Sequence, residues 1–219
     1  MISNTEENYL KAIYKISEKD KKPAGTNAIA NELDTSAASV TDMLKRLAEK
    51  NLINYQKYKG VSLSGKGSRI ATNLIRKHRL WESFLVEKLN FTWDKVHDIA
   101  EQMEHIKSEE LVNRLDEYLG YPKFDPHGDP IPNAEGKFTL RVQVLLSLLR
   151  KDDKAKVIGV KEHDNDFLRY LNSKCIQLGS ELIVIEKNDY DKSMLVRVDG
   201  EKITLTQKVT KQIFVKKIA

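Results

Sequence analysis

Residues 95–105 read KVHDIAEQMEH, a short run that holds His97, His105 and the carboxylates Asp98, Glu101 and Glu104. His97, Glu101, Glu104 and His105 stand at offsets of 0, +4, +7 and +8, a spacing that lines one helix face across just over two turns. Upstream, His78 and Glu82 repeat the His-x-x-x-Glu spacing on the preceding segment. Three of the chain's five histidines, 78, 97 and 105, thus have a carboxylate four residues away or closer on the same predicted helix. Imidazole and carboxylate without thiolate suit first-row divalent ions such as Mn, Fe and Zn, and helical bundles hold such ions between facing helices. A solvated helix face with i,i+4 ion pairs accounts for any one of these residues. Taken together, the residues point to a cation. Asp98 receives no role, and Glu7 and Asn8 are either further oxygen donors or capping residues.

The elements that must position these groups follow from periodicity. Tyr9, Leu10, Ile13, Tyr14 and Ile16 make a helical stripe that Thr5 would cap. A short helix capped by Thr26, a turn at Asp34-Thr35 and a longer helix capped by Ser36 form a helix-turn-helix, with Val40, Met43, Leu44 and Leu47 facing inward. Residues 53–58 alternate with period two, Lys59-Gly60 turns the chain, and Val61-Ser62-Leu63 returns, which makes a wing. A long apolar-periodic helix over residues 70–89 exceeds what a wing domain needs, and two more helices are predicted over 94–103 and 109–119. A Pro/Gly-rich stretch, 121–136, ends the helical region. Beyond it, strands at 156–160, 182–185, 194–198 and 202–205, with a short helix over 166–172, suggest a small β-barrel. The predicted fold class is mainly α with a β-rich C-terminal domain. Three modules result: a winged helix-turn-helix over 1–70, a helical metal-binding and dimerisation domain over 71–136, and an SH3-like domain over 137–219.

Bulk composition agrees with this plan. Apolar residues at 40% and charged residues at 32% describe a globular chain. The longest apolar run, residues 144–149, is too short to cross a bilayer, and the start lacks the pattern of a signal peptide. The single cysteine, Cys175, excludes an internal disulfide framework and suits a reducing, cytoplasmic setting; it reads as a small apolar packing residue. The net charge of +5 divides into +4 for residues 1–70, −5 for 71–135 and +6 for 136–219. An acidic middle between basic flanks suits a cation at the centre and a polyanion at one end.

In order along the chain, TEENYLKAIY, the helix-turn-helix, RKHRLWESFL, KVHDIAEQMEH and DPHGDPIP resemble the diphtheria-toxin-repressor family of metal-dependent transcriptional repressors. The resemblance runs from about Thr5 to Pro132, and the basic β-rich tail resembles the SH3-like domain of the longer members. It implies a homodimer that binds double-stranded operator DNA under control of a divalent metal, without enzymatic activity and without a membrane. A primary site would take Glu101, Glu104, His105 and Asn8, with His78 added in a manganese-type arrangement. An ancillary site would take His78, Glu82 and His97, with Asp125, His127 and Asp164 as further candidates. Asn8 departs from the Met or Asp common at its position. Glu101 replaces the cysteine of the iron-responsive prototype, a hard ligand for a soft one, which favours Mn(II), with Fe(II) the alternative. Lys11 stands where short manganese regulators carry a carboxylate, which argues against a two-manganese cluster of that kind.

For DNA, the N-terminal half of the recognition helix offers Ser36, Ala37, Ala38, Ser39 and Thr41 to base edges and thymine methyls, with Thr26 nearby. Lys45 and Arg46, and the wing's Lys57, Tyr58 and Lys59, suit phosphate contact. A winged-helix regulator sensing a non-metal signal is the alternative function. A metallohydrolase using His78, Glu101 and His105 lacks the His-Glu-x-x-His spacing and leaves the wing unexplained.

Overall fold

The first helix starts from Ser3, not from the expected Thr5. In the computed structural model, which describes residues 2–56 and 59–218, Ser3 accepts from the Glu6 backbone and Glu6 reaches back to the Ser3 backbone. This reciprocal capping box satisfies two donors at once, which a lone Thr5 cap does not. Two compact units make up the chain.

The first unit comprises Met1–His78, Gln102–Asn113 and Pro132–Lys137. It holds α1 (Asn4–Asp20), α2 (Thr26–Glu32), α3 (Ala37–Glu49), and the antiparallel hairpin β1 (Ile53–Gln56) and β2 (Gly60–Leu63). Gly25, not Thr26, is the N-cap of α2, and Thr26 opens the helix. Ser36 caps α3 as expected, its hydroxyl accepting from the Ser39 backbone at 3.1 Å. Leu10, Ile13, Ile29, Val40, Leu44, Leu47 and Val61 pack into one core beneath the helix-turn-helix and the hairpin. Burying each such side chain contributes roughly 1.5–3 kcal/mol before entropy is counted. The predicted contacts Lys57 and Tyr58 lie outside the described residues.

The long helix α4 (Gly65–Leu89) begins five residues earlier than its apolar stripe suggested. The cause is steric as well as periodic. A Cβ at Gly67 would lie 2.0 Å from the Leu52 carbonyl oxygen, so only glycine lets the helix start against the wing stem. Its residues up to His78 belong to the first unit and the rest to the second.

The second unit comprises Arg79–Glu101, Arg114–Ile131 and Phe138–Ala219. α5 (His97–Met103) and α6 (Glu109–Tyr118) give residues to both units. The remaining elements are β3 (Val144–Leu145), β4 (Lys154–Val160), α7 (Asn165–Ser173), β5 (Glu181–Lys187), β6 (Met194–Val198), β7 (Glu201–Leu205), α8 (Gln207–Thr210) and β8 (Ile213–Ile218). The strands form one antiparallel sheet in the order β3-β8-β4-β5-β6-β7. Sequence reading found four of these strands and missed β3 and β8. Register shifts at Val157/Gly159 and Val184/Glu186 mark bulges, which bend and twist a sheet. Val157, Leu182, Val184, Val196, Leu205, Ile213 and Val215 share a core with Leu168 and Leu171 of α7. Cys175, expected as a packing residue, is exposed and holds a left-handed backbone conformation (φ 55°) just past α7, as helix-terminating residues do. No helix among the described residues is long and apolar enough to cross a membrane.

Candidate metal centres and the DNA-reading helix

α5 ends at Met103, so Glu104 and His105 lie in the turn after it and not on the single helix face that their spacing suggested. Their tertiary partners outweigh helical continuation. Lys11 Nζ of α1 donates to both Glu104 oxygens, at 2.8 and 2.6 Å, and His78 Nδ1 donates to Oε2 at 2.6 Å. Glu104 is 1% exposed, Lys11 5% and His78 6%. Burial alone would raise the Glu104 pKa, but the His78 hydrogen bond and the charges of Lys11 and His78 hold it below the usual carboxylate value. His105 Nδ1 contacts Glu7 Oε2 at 2.7 Å. A carboxylate only accepts, so Nδ1 carries the proton and Nε2, 3.9 Å from Glu104 Oε1, keeps its lone pair in the neutral ring. On α1, next to Glu7, Asn8 Oδ1 is buried without a hydrogen-bond partner. An orphaned amide oxygen, an oriented imidazole, His78 and a buried carboxylate in one unit fit a hard divalent cation.

A second group lies wholly in the other unit. Glu82, Asp125 and His127 are 2%, 4% and 2% exposed and bring ligand atoms within 4.8 Å of one another. The DPHG loop is fixed at both ends of its turn. Asp125 Oδ1 accepts from the His127 and Asp129 backbones, each at 2.9 Å, and Val160 of β4 donates to the His127 carbonyl at 3.0 Å. Gly128 (φ 87°) permits this approach, since a Cβ there would lie 2.2 Å from the Ile158 carbonyl. His127 Nε2 donates to the Trp93 carbonyl at 2.8 Å, which turns Nδ1 towards Glu82 Oε2 at 3.6 Å. Arg79 pairs with Asp129 at 2.9 Å and with Asp125 at 3.4 Å. Burial, then the charges of Asp129 and Glu82, push the Asp125 pKa up to about 7. For His127, burial acts downward, but the Glu82 hydrogen bond and the charges of Glu82 and Asp125 push it up to about 9.

At the edge of this group, His97 Nδ1 stands 3.4 Å from Glu82 Oε1 and its Nε2 stands 3.7 Å from Glu101 Oε1. Glu101, assigned from sequence to the primary site, is half exposed and pairs with His97. Asp164 is exposed and caps α7, its Oδ1 accepting from Asp166 and Phe167, so only its second oxygen is left for an ion. Two residues take parts that sequence reading did not assign to them. Lys11 occupies the carboxylate of the first group. His163 stacks on His127 with ring centroids 5.0 Å apart, and its Nε2 is buried without a hydrogen-bond partner. Burial, foremost, holds the His163 pKa down. Neither residue shows a spacing signal, because each meets its partner across long sequence distances.

On α3, Ser36, Ala37, Ala38 and Ser39 are exposed and Thr41 is half-buried, while Val40, Leu44 and Leu47 face the core. Lys45, Arg46 and Lys59 are exposed and Thr26 is half-buried. Lys45 pairs with Asp42 at 3.1 Å, an exposed pair that leaves the ammonium available to a stronger anion.

A model of the iron dependent repressor N-terminal DNA binding domain matches residues 1–61. One of the iron dependent repressor metal binding and dimerisation domain matches 64–133, and a FeoA domain matches 144–217. The diphtheria toxin repressor of Corynebacterium jeikeium is 34% identical over 132 residues, 60% of this chain and 55% of that protein. A solved manganese-dependent transcriptional repressor in complex with manganese is 34% identical, with a TM-score of 0.85, over 97% of this chain and 99% of that one. The chain belongs to the diphtheria-toxin-repressor family. Within that family, the match spans about half the length of the first curated relatives, 55% for the C. jeikeium protein. The Corynebacterium diphtheriae repressor aligns over 87% of its length at 27% identity. T. acidophilum IdeR, 27% identical with a TM-score of 0.74, covers the whole chain.

Proposed function

We propose that this chain is a metal-dependent repressor that binds operator DNA as a homodimer in the cytoplasm and controls genes of metal homeostasis. The observation that carries this reading is the buried Glu104 group beside α1, in the same unit as the helix-turn-helix. Asn8, His78, Glu104 and His105, with Glu101 as its sequence position assigns it, would hold the regulatory ion; Glu82, Asp125 and His127, with His97 alongside and Asp164 as a further candidate, would hold a second. Glu101, with its carboxylate where the iron-responsive prototype has cysteine, favours Mn(II), and Fe(II) is the alternative. An ion held there would supply a polyvalent positive centre for the ligands of α1 and of the Glu104–His105 turn.

The chain's own groups do the rest. Glu7 holds the His105 ring by Nδ1 and leaves Nε2 as the donor, the outer-shell role that carboxylates play towards ligating imidazoles. Ser36, Ala37, Ala38, Ser39, Thr41 and Thr26 face the bases, and Lys45, Arg46 and Lys59 the phosphates. Lys57 and Tyr58 of the wing join the phosphate contacts in this proposal. In a two-fold dimer the recognition helices must stand about 34 Å apart or a multiple of it, so an ion that favours that spacing favours the operator. The coupling is reciprocal: operator DNA tightens metal binding by the factor by which metal tightens operator binding. Anaerobic operator titrations with Mn(II), Fe(II) and Zn(II), combined with metal counts per subunit, test the proposal. Mn(II) or Fe(II) should activate the wild type, and the pair Glu104→Ala with His105→Ala should abolish activation. Operator binding that ignores metal, or survives those substitutions unchanged, would overturn it.

A further inference from the structure

Lys11 raises a question that the metal reading leaves open. Its ammonium donates to both oxygens of Glu104 at 2.8 and 2.6 Å, with both side chains nearly fully buried. A two-oxygen contact puts the cation in the mouth of the carboxylate, the position from which a carboxylate also grips a metal. Around this pair, His78 Nδ1 takes Oε2 and His105 Nε2 points to Oε1 at 3.9 Å. Lys11 thus stands among the groups assigned to the primary ion, and it carries a fixed positive charge that no metal ligand set needs.

We propose that Lys11 is a resident cation that competes with the regulatory metal for Glu104 and thereby sets the metal concentration at which the protein responds. The inference rests on the primary site proposed above. A dication that grips Glu104 from the side the ammonium now occupies displaces it from at least one oxygen, and charge repulsion between the two cations acts in the same direction. The exchange keeps Glu104 neutralised in both states, so the metal-free protein is spared a buried unpaired carboxylate. α1 supplies the competitor one helical turn from Glu7, which holds the neighbouring ligand His105. One helix therefore both orients an imidazole for metal and blocks the carboxylate against it.

The alternative geometry keeps Lys11 on Glu104 as a positioning partner in the metal-bound state, and it makes the opposite prediction. Mn(II) binding to the full-length wild type and to Lys11→Met, followed by loss of the free aqua-ion signal in electron paramagnetic resonance, separates the two. Lys11→Met should bind Mn(II) about 10- to 100-fold more tightly, the size expected from removing charge-assisted contacts to one carboxylate. Lys11→Arg, which keeps a cation on Glu104, should stay within a few-fold of the wild type. Unchanged or weaker binding by Lys11→Met, with the wild type binding normally, would overturn the competitor role alone. No binding by the wild type, or full binding by His105→Ala, would overturn the primary site itself. If Lys11→Met folds only with metal, the Mn(II) concentration that restores its helical circular dichroism becomes the readout. It should lie at or below the wild type's half-saturation point, and no recovery at 100 times that concentration would overturn the proposal.

Discussion

Around Glu104 in the first unit, one carboxylate meets the Lys11 ammonium and the His78 ring. Around Asp125 in the second, three carboxylates, Glu82, Asp125 and Asp129, meet Arg79, His127 and the nearby Arg141. The first group has its charge answered by the chain itself, and its carboxylate stays ionised deep in the fold. In the second, burial and then the charges of Asp129 and Glu82 push Asp125 up to about 7, while Glu82 and Asp125 push His127 up to about 9 against its burial. Burial is similar in the two places. The number of carboxylates differs, and with it whether an incoming ion must displace a resident charge from the one carboxylate present or join several that repel one another.

Removing the central carboxylate should break this contrast most strongly. Glu104→Ala leaves Lys11 buried without Glu104, which should cost the metal-free protein about 3–5 kcal/mol in urea unfolding. Glu82→Ala also relieves repulsion with Asp125 and should cost clearly less. An equal cost for the two would mean that charge balance is not what separates the groups.

pH sharpens the same contrast. Glu104 has a depressed pKa, so its contribution is present above the ordinary value of 4.5 and lost as the pH falls through the folded value. His127, raised from 6.5 to about 9, contributes fully below pH 6.5 and loses that contribution as the pH rises through about 9. Asp125 acts in the same direction over a lower range, since folding favours its protonated form between 3.8 and about 7. In chelator, the melting temperature should therefore fall between pH 6.5 and 9, and His127→Gln should flatten that fall. A wild-type profile that rises over this range would contradict the assignment.

The smallest effect belongs to the reading helix. Lys45→Ala breaks an exposed pair, so stability should change by less than about 0.5 kcal/mol. Operator affinity should drop for all sequences alike, and the salt slope should shrink by about one. A loss confined to one operator sequence would make Lys45 a base contact.

The helix-turn-helix, the wing and the acidic run were legible because they are local. Val40, Leu44 and Leu47 recur at helical spacing, Ser36 caps where its sequence position says it should, and the wing alternates. Capping by Ser3 was missed because the reciprocal Glu6 bond, not the cap residue type, decides between Ser3 and Thr5. The partners of the candidate sites lie farther apart. Lys11 meets Glu104 across 93 residues and Glu7 meets His105 across 98, separations at which no periodicity exists to be read. The end of α5 at Met103 has the same origin, since tertiary partners of Glu104 and His105 override local helix preference. His163 received no functional role from sequence because its place depends on a ring stacked on His127 and not on any spacing.

The absent side chain at Gly67 has a mechanical meaning. With 2.0 Å between a hypothetical Cβ and the Leu52 carbonyl, the first turn of α4 and the wing stem move as one piece. His78 lies eleven residues further along the same helix, about 16 Å of rise. Whatever shifts His78 therefore pulls on the wing through a stiff rod and not through a loop. A methyl group at position 67 would collide with the Leu52 carbonyl and force the helix start and the wing stem apart.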